Sequence, residues 1–304
     1  MSLPPGYELR APEAADVDAV AAVLEADAGG DAALDADFLR ESWSRAGFDL
    51  ATDAWVVLDD AGETVAYAET MLEEPGLVEA WGVVHPAQRG RGIGTALLDL
   101  TEDRASELLR DAEGARLRHA VNSGDRAAAA MLERRGFGLV RHFWHMEIDP
   151  VDAPASEPAP EGVAITGVAG EADVRAVHAV MEEAFAEDWD YRPQQLDEWL
   201  DEHRRSPSYD GGLWLLARDG GRPVGALTAT AGRDRGWITE LGVAAAHRGR
   251  GVGSALLRRA FAAFATRGLR RVILNVDAQN PTGATELYER AGMRVVGRWD
   301  LWER

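Results

Sequence analysis

Two arginine- and glycine-rich turns are the stretches of this chain best suited to bind an anion. The first reads AQRGRGIGTALL from Ala87, and the second reads AHRGRGVGSALL from Ala246. Glycines let the backbone approach a ligand closely, and the free N–H groups at the start of a helix attract phosphate. An arginine adds charge-assisted hydrogen bonds to phosphate oxygens. The pattern therefore predicts two cradles for a pyrophosphate.

Two other phosphate-binding motifs are excluded by the residues themselves. A dinucleotide fingerprint needs a third glycine where Thr95 and Ser254 stand, and a P-loop needs a lysine. The chain has no lysine, because all 32 of its basic residues are arginine. This composition also excludes a Schiff-base lysine and a pyridoxal-phosphate anchor. The chain has no cysteine either, which excludes thiol nucleophiles, disulfides and thiolate-bound metals.

Hydrophobic patterning in the second half predicts the elements that position such a turn. We expect a strand at Val163–Thr166, helices near Ala172–Phe185 and Gln194–His203, and three antiparallel strands in LWLLARD, VGALTATAG and WITELGV. The turn then opens the helix SALLRRAFAAFATRG. A strand (LRRVILNVD), a helix (PTGATELYERAG) and a final strand follow. This order predicts an α+β domain with a mixed, mostly antiparallel sheet flanked by helices.

The first half repeats this plan at a spacing near 156 residues. GYELRAPEAADVDAVAAVLEA corresponds to GVAITGVAGEADVRAVHAVMEEAF, and MLERRGFGLV corresponds to LYERAGMRVV. The spacing is too long for a solenoid repeat and indicates a duplicated domain. We therefore predict a domain at residues 1–149, a linker rich in proline, alanine and acids at 150–161, and a second domain at 162–304.

The segments RGRGVGSALL and LNVDAQNPTGATELYERAGM together resemble the GNAT superfamily of N-acetyltransferases. The tandem arrangement is similar to the mycothiol synthase group, which acetylates a cysteinyl-sugar amine. The resemblance implies acetyl-CoA as the donor, with a bulged strand pairing with its pantetheine arm and the turn holding its pyrophosphate. The implied cofactor-binding residues are Leu241, Gly242, Val243, Arg248, Gly249, Arg250, Gly251, Val252, Gly253, Ser254 and Asn280, with Arg89, Gly90, Arg91, Gly92, Ile93, Gly94 and Thr95 in the first half.

The resemblance also implies residues for the chemistry of acetyl transfer. Tyr288 matches the tyrosine that donates a proton to the departing thiolate, and Glu240 is the candidate base that makes the amine neutral. Asn280 precedes Tyr288 and is expected either to cap its helix or to contact CoA.

The first half lacks the residues that carry this chemistry in the second. Aligned on the two halves, Trp81, Leu132 and Gly124 stand opposite Glu240, Tyr288 and Asn280, respectively. We therefore expect catalysis in the C-terminal domain. The N-terminal domain is expected to be catalytically degenerate, while its cradle still has the residues to hold acetyl-CoA.

The acceptor is predicted to be a small molecule with an amine. Glu187, Trp189 and Tyr191 offer carboxylate and aromatic groups suited to a cationic, partly apolar acceptor such as an antibiotic, an amino-sugar or a related metabolite. A mycothiol precursor is the alternative, although Trp237 stands where that group's carboxylate base is expected. A non-catalytic acyl-CoA sensor or scaffold is a further alternative.

Charge and hydropathy narrow the remaining possibilities. The net charge of −20 disfavours binding to nucleic acid. No run of about 18 apolar residues predicts a membrane span, and the N-terminal stretch does not have the pattern of a signal peptide. We therefore expect a cytoplasmic enzyme, either monomeric or homodimeric. His142 and His145 would face opposite sides of a strand, so no metal site is predicted.

Overall fold

The computed structural model describes residues 3–28, 35–45, 47–154, 159–206 and 208–304. Contacts divide the chain into two compact units. The N-terminal unit contains Met1–Phe143 and Gly297–Arg304, and the C-terminal unit contains Trp144–Val296. The predicted linker at 150–161 falls inside the C-terminal unit, and residues 155–158 of that segment lie outside the described residues.

The N-terminal unit is built on a sheet in the order β1-β2-β3-β4-β5-β12. Only β4 and β5 run parallel to each other; the other neighbouring pairs are antiparallel. Its elements are β1 (Tyr7–Arg10), α1 (Val17–Ala28), α2 (Ala36–Trp43), α3 (Leu50–Asp53), β2 (Ala54–Asp59), β3 (Thr64–Glu74), β4 (Leu77–Val84), α4 (Ile93–Leu108), β5 (Arg116–Asn122), α5 (Arg126–Arg134) and the beginning of β6 (Gly138–Ile148).

The C-terminal unit has the same plan, with the strand order β7-β8-β9-β10-β11-β6. Its elements are β7 (Val163–Gly167), α6 (Glu171–Phe185), α7 (Leu196–Arg205), β8 (Leu215–Asp219), β9 (Arg222–Ala231), β10 (Gly236–Val243), α8 (Val252–Thr266), β11 (Val272–Asp277), α9 (Ala284–Arg290) and the beginning of β12 (Arg294–Glu303). This order confirms the predicted α+β fold with two repeated domains and a mostly antiparallel sheet.

The closing strand of each unit comes from a distant part of the chain. Strand β12, at the C-terminus, pairs antiparallel with β5 of the N-terminal unit, where Leu301 lies opposite Ala120. The end of β6 belongs to the C-terminal unit, where Met146 and Ile148 join the hydrophobic core. This exchange was not predicted, because the patterns that identify each strand do not show which partner it pairs with.

The core of the C-terminal unit lies between its sheet and α8. Leu256, Phe261 and Phe264 of α8 recur at helical spacing and are almost fully buried, together with Leu227 of β9. Packing is tight at Gly236, where a Cβ would lie 2.4 Å from the ring of Phe264. This close packing holds the C-terminal part of α8 against β10. The start of α8 packs against β9, where a Cβ on Gly225 would lie 2.8 Å from Val252 Cγ1.

Candidate active site and cofactor cradles

Both arginine- and glycine-rich turns end at the N-terminus of a long helix, as the sequence predicts. Gly92 is the N-cap of α4 with φ +93°, and Gly251 is the N-cap of α8 with φ +83°. Gly90 and Gly249 are also left-handed, with φ near +74° and +73°. Side chains other than glycine rarely adopt this conformation, so the glycines are what allow each turn to direct its N–H groups outward.

The first arginine of each turn binds its own protein backbone. Arg89 Nε donates to the carbonyl of Val84 at 3.2 Å, and Arg248 Nε donates to the carbonyl of Val243 at 3.3 Å. Arg248 also donates to the carbonyl of Ala184 at 2.9 Å. These bonds tie each turn to the end of the preceding strand. The arginines thus shape the cradles, and their contact with phosphate stays a prediction.

Strands β10 and β11 separate beside the second cradle. Their parallel pairing includes Gly236 and Trp237 and then ends. Beyond it, Leu241, Gly242 and Val243 continue to pair with β9 on the other edge. The β11-facing edge of these three residues is therefore the backbone that the predicted pantetheine contact requires.

A β-bulge lies just before this opening. The register of β10 with β9 shifts between Ile238 and Glu240, which leaves Thr239 as an extra residue. As a result Ile238 and Leu241 both pack toward the core beside α8. Gly242 faces α6 instead, where a Cβ would lie 2.9 Å from the side chains of Ala184 and Met181. In the N-terminal unit the register of β3 with β4 shifts at the other end of the pair, between Leu72 and Glu74, and runs without a shift from Val78 to Val84.

Glu240 is held by three side chains from neighbouring elements. Its Oε1 accepts a hydrogen bond from Trp199 Nε1 at 3.2 Å, and its Oε2 accepts one from Thr228 Oγ1 at 3.0 Å. His203 Nε2 lies 3.2 Å from Oε2. The Glu240 side chain is still 23 % exposed, so it is not closed off from solvent. A candidate base is thus fixed in orientation but not enclosed.

Sequence reasoning missed His203. Its Nδ1 lies 2.9 Å from the carbonyl oxygen of Trp199, and its ring centroid lies 4.4 Å from that of Trp199 and 5.2 Å from that of Trp214. Burial lowers the pKa of His203, but the hydrogen bond and charge of Glu240 raise it, and the net shift is upward. The spacing Trp199–His203 was the available signal, since residues four apart share a helix face.

Tyr288 is buried in α9, on the core side of the C-terminal unit. Burial, followed by the negative charge of Asp188, raises the pKa of its hydroxyl well above the ordinary value of 10. The hydroxyl therefore stays protonated at neutral pH, which is the form that a proton donor needs. The preceding residue, Leu287, lies against the second cradle, where a Cβ on Gly253 would be 3.0 Å from Leu287 Cδ2.

Asn280 does not cap the helix that carries Tyr288. Its Oδ1 accepts a hydrogen bond from the backbone N–H of Thr282 at 2.9 Å and another from the Thr282 hydroxyl at 2.5 Å. The N-cap of α9 is Gly283, with φ +74°. The expectation of a helix cap is therefore wrong, because the helix begins four residues after Asn280. Contact of Asn280 with CoA stays a prediction.

The predicted acceptor-binding residues lie in the connection between α6 and α7. The hydroxyl of Tyr191 donates to Glu182, and its ring stacks on Phe185 with centroids 6.3 Å apart. Burial, Glu182 and the charge of Glu240 all raise the pKa of Tyr191, so Tyr191 lies within electrostatic reach of Glu240. Glu187 is exposed and lies 3.7 Å from Arg248, and Trp189 is half-buried.

The N-terminal unit contains a cavity of about 500 Å³ beside the first cradle. The parallel pairing of β4 and β5 ends at Ala80 opposite His119, and the cavity occupies the opening beyond this point. Arg89, Gly92 and Thr95 line it at the cradle, and Trp81, His119 and Leu132 line it deeper in the unit. The volume falls in the range of small-molecule and cofactor sites. Burial lowers the pKa of His119 to about 3, so its ring is neutral.

The N-terminal unit also has a buried carboxylate, Glu69 on β3, which sequence reasoning missed. Ser42 Oγ and Trp81 Nε1 each donate to its Oε1 at 2.8 Å, and the hydroxyl of Tyr67 donates to Oε2. The rings of Tyr67 and Trp81 lie 5.3 Å apart, and Phe38 packs 6.0 Å from Trp81. Burial raises the pKa of Glu69. Aromatic side chains thus enclose this carboxylate.

In each unit, two parallel strands separate beside a helix that begins at a glycine-rich turn. This arrangement defines the fold of transferases that use acyl-CoA. Within the described ranges, no helix is long and apolar enough to cross a membrane, and no group of three histidine or acidic side chains is placed to hold a metal ion.

Comparison with known proteins agrees with this class. Residues 175–293 match the acetyltransferase (GNAT) family, and residues 51–138 match an acetyltransferase (GNAT) domain. The chain is 33 % identical over 258 residues to the mycothiol acetyltransferase of Streptomyces scabiei, covering 82 % of this chain and 79 % of that protein. It is also 33 % identical over 257 residues to the mycothiol acetyltransferase of Thermobispora bispora, covering 81 % of each.

Solved structures show the same fold. A GCN5-related N-acetyltransferase from Sphaerobacter thermophilus superposes with a TM-score of 0.87 at 32 % identity, covering 100 % of this chain and 96 % of that one. A tandem GNAT protein from the clavulanic acid biosynthesis pathway superposes with a TM-score of 0.69 at 19 % identity, covering 98 % of both chains. The chain belongs to the GNAT family of acetyltransferases. It is a tandem-domain enzyme that uses acetyl-CoA.

Proposed function

We propose that the C-terminal unit transfers the acetyl group to the amine of a small cationic acceptor, while the N-terminal unit binds a CoA-type ligand without catalysing transfer. The observation that carries this proposal is the environment of Glu240. Its carboxylate follows the bulge at Thr239, is fixed by Trp199, Thr228 and His203, and remains partly exposed. A carboxylate that is oriented and still accessible is suited to take a proton from an amine.

The chemistry assigns a separate task to each end of the site. An amine must lose a proton before it attacks the thioester carbonyl, and Glu240 accepts that proton. Attack forms an oxyanion, which backbone N–H groups stabilise. The CoA thiolate then leaves and takes a proton from Tyr288, whose raised pKa means that the hydroxyl is protonated at neutral pH.

In this proposal the cofactor lies along the second cradle and the open edge of β10. The pyrophosphate meets the N–H groups at the start of α8, and the exposed Arg250 lies beside the same turn. The pantetheine arm runs along Leu241–Val243, where pairing with β11 has ended. Glu240 on β10 and Tyr288 on α9 would then be the residues that act on the amine and on the departing thiolate, respectively.

The acceptor enters from the side of α6 and α7. Glu187, Trp189 and Tyr191 belong to the connection between these helices, and Tyr191 lies within the electrostatic field of Glu240. The carboxylates here favour a cationic amine, and the aromatic rings favour an acceptor with an apolar part. An antibiotic or an amino-sugar has this chemistry.

A mycothiol precursor is the second candidate acceptor. The relatives named mycothiol acetyltransferase support it, because their identity to this chain extends over about four fifths of both proteins. Trp237 is the departure. The bulge places Trp237 on the same face of β10 as Glu240, and its ring lies 6.1 Å from that of His145. We propose that Glu240 serves as the base in this chain, three positions after the place expected in that group.

The N-terminal unit retains the parts for binding but not those for transfer. Its cradle opens into the 500 Å³ cavity, which supports binding of an elongated ligand with phosphate at one end. Leu132 takes the place of Tyr288 and has no proton to donate. The carboxylate of Glu69 is enclosed by Ser42, Tyr67 and Trp81, and so has no access for an acceptor.

Release of CoA thiol with a panel of amines tests this function. The chain has no cysteine, so a thiol reagent reports CoA without background from the protein. The panel contains glucosamine and an aminoglycoside, each followed with the thiol reagent, and a mycothiol precursor, whose own cysteinyl thiol requires that its acetylated product be followed by mass spectrometry instead. We expect amine-dependent release with at least one of the three. Tight binding of acetyl-CoA with no release for any amine would contradict the proposal and favour a sensor of acyl-CoA.

A further inference from the structure

The contact between Glu240 and His203 requires a shared proton. Nδ1 of His203 lies 2.9 Å from the backbone carbonyl oxygen of Trp199, and a carbonyl oxygen only accepts. Nδ1 therefore carries a hydrogen. Nε2 lies 3.2 Å from Oε2 of Glu240. If this nitrogen and the carboxylate were both unprotonated, two lone pairs would face each other. A proton consequently lies between Nε2 and Oε2 when the site is at rest.

We propose that His203 is a positioning residue that sets the protonation state of Glu240, so that the Glu240–His203 pair, rather than the carboxylate alone, takes the acceptor's proton. This rests on the proposed function, in which Glu240 is the base. The reactive form is the pair that has lost its shared proton. A lone carboxylate is a weak base toward an ammonium group, whereas the pair gains a hydrogen bond when it is protonated.

The protons balance over one turnover. The acceptor ammonium gives its first proton to the unprotonated pair, where it lies between Oε2 and Nε2. The neutral nitrogen attacks the thioester carbon, and the carbon–sulfur bond breaks. Tyr288 protonates the thiolate, and the second proton of the attacking nitrogen replaces the one that Tyr288 lost. The pair then releases its proton to water, so the products are the amide, the CoA thiol and one proton.

The surroundings of His203 hold it in place and favour its charged form. The indole rings of Trp199 and Trp214 pack on the imidazole, which is 12 % exposed. Burial lowers the pKa of His203, but Glu240, the Trp199 carbonyl and the charge of Glu202 together raise it above the usual 6.5. The reactive form of the pair therefore accumulates as the pH rises above the ordinary range of histidine.

Other titratable groups lie near His203 but farther from its ring than Glu240. From α6, His178 packs against Trp199, at 5.3 Å between ring centroids, and its Nε2 lies 3.7 Å from Glu182. Tyr191 donates to Glu182 and feels the charge of Glu240. Tyr209 packs against Trp214. Among the residues that the structure describes, Glu240 is the one with a charged atom within hydrogen-bond distance of the His203 ring.

Titration of the histidine ring protons by NMR on the full chain tests the pair without any ligand. The chain has seven histidines, and His203→Gln identifies the resonance of His203 by its loss. We expect a midpoint above pH 6.5 in the wild type. Glu240→Gln should lower this midpoint by about one pH unit or more, as loss of a close opposite charge does. Glu198→Gln, an exposed acid on the same helix, is the control and should leave it unchanged.

The same variants test the role in catalysis, with glucosamine as the probe acceptor. The rising limb of kcat against pH should move toward acid by at least one pH unit in His203→Gln, with little change in the KM for acetyl-CoA. An equal loss of kcat at every pH would show a purely structural role and overturn the proposal. A midpoint that does not respond to Glu240→Gln would also overturn it. Absence of turnover with a normal NMR response would instead count against the proposed function.

Discussion

The indole nitrogen of Trp81 donates a 2.8 Å hydrogen bond to the carboxylate of Glu69, its cross-strand partner on β3. The C-terminal unit has the same cross-strand pair with the carboxylate on the other strand. There Glu240 on β10 lies opposite Thr228 on β9 and accepts its hydroxyl at 3.0 Å. Each repeat thus has one carboxylate at this place in the sheet. The carboxylate of Glu69 is buried, whereas the Glu240 side chain is partly exposed.

This difference between Glu69 and Glu240 explains why the two units are expected to differ in function. The N-terminal carboxylate is surrounded by donors from Ser42, Tyr67 and Trp81 and is almost fully buried. The C-terminal carboxylate is contacted by Trp199, Thr228 and His203, and the Glu240 side chain keeps about a quarter of its surface exposed. The same sheet position therefore serves packing in one unit and is open to chemistry in the other.

Neutralising each carboxylate in turn should separate these roles. Glu240→Gln should lower kcat by roughly 10²–10⁴-fold, the usual contribution of a positioned base. Glu69→Gln should leave kcat within about twofold of the wild type, because the donors to its carboxylate, Ser42, Tyr67 and Trp81, all belong to the N-terminal unit. The measurement is the steady-state rate of CoA release for both variants. Equal losses in the two variants would contradict the assignment of catalysis to the C-terminal unit.

Replacing the N-cap glycine of each cradle by alanine should separate the cradle that serves turnover from the cradle that only binds a ligand. Gly251→Ala should raise the KM for acetyl-CoA about tenfold or more, since φ +83° strains any side chain at the start of α8. Gly92→Ala should leave turnover nearly unchanged and remove one equivalent of bound CoA-type ligand, measured by calorimetry. Gly268→Ala is the matched control, with φ +77° and open space around its Cβ. A KM equally raised in Gly268→Ala would show a general loss of stability.

Glu69 should make the stability of the N-terminal unit depend on pH. Burial raises its pKa in the folded state above the unfolded value. A group of this kind favours the folded state most below its unfolded pKa, and that contribution is lost as the pH rises through the folded pKa. Glu69→Gln has no such group. Its free energy of unfolding should therefore increase relative to that of the wild type as the pH rises from about 4 to about 7. Urea unfolding at several pH values measures this. A constant difference would contradict the shifted pKa.

The sequence predicted the parts of the fold that have local signals. The strands and helices of the C-terminal unit begin and end within a few residues of the predicted positions, because their apolar periods are bounded by glycine, proline or aspartate. The turns at Arg89 and Arg248 were predicted to open helices, and both do. The bulge on β10 was expected at the pantetheine strand, and it lies at Thr239, two residues before Leu241.

The features that the sequence did not predict depend on partners far apart in the chain. The pairing of β12 with β5 joins segments about 180 residues apart, and no local pattern specifies it. His203 contacts Glu240 only because α7 packs over β10, and Glu69 becomes enclosed only when α2 supplies Ser42. Asn280 was wrong as a helix cap because the Gly283 conformation delays the helix start. Each case is set by tertiary packing rather than by local preference.

We propose that the chain has two cradles and one catalytic centre. The most direct test measures bound acetyl-CoA and turnover together in Tyr288→Phe, which removes only the hydroxyl of the proposed acid. Tyr209→Phe, at a tyrosine that packs against Trp214, is the control. We predict that Tyr288→Phe still binds two equivalents of acetyl-CoA per chain while kcat falls at least a hundredfold. Turnover close to that of the wild type, or binding of a single equivalent, would contradict this account.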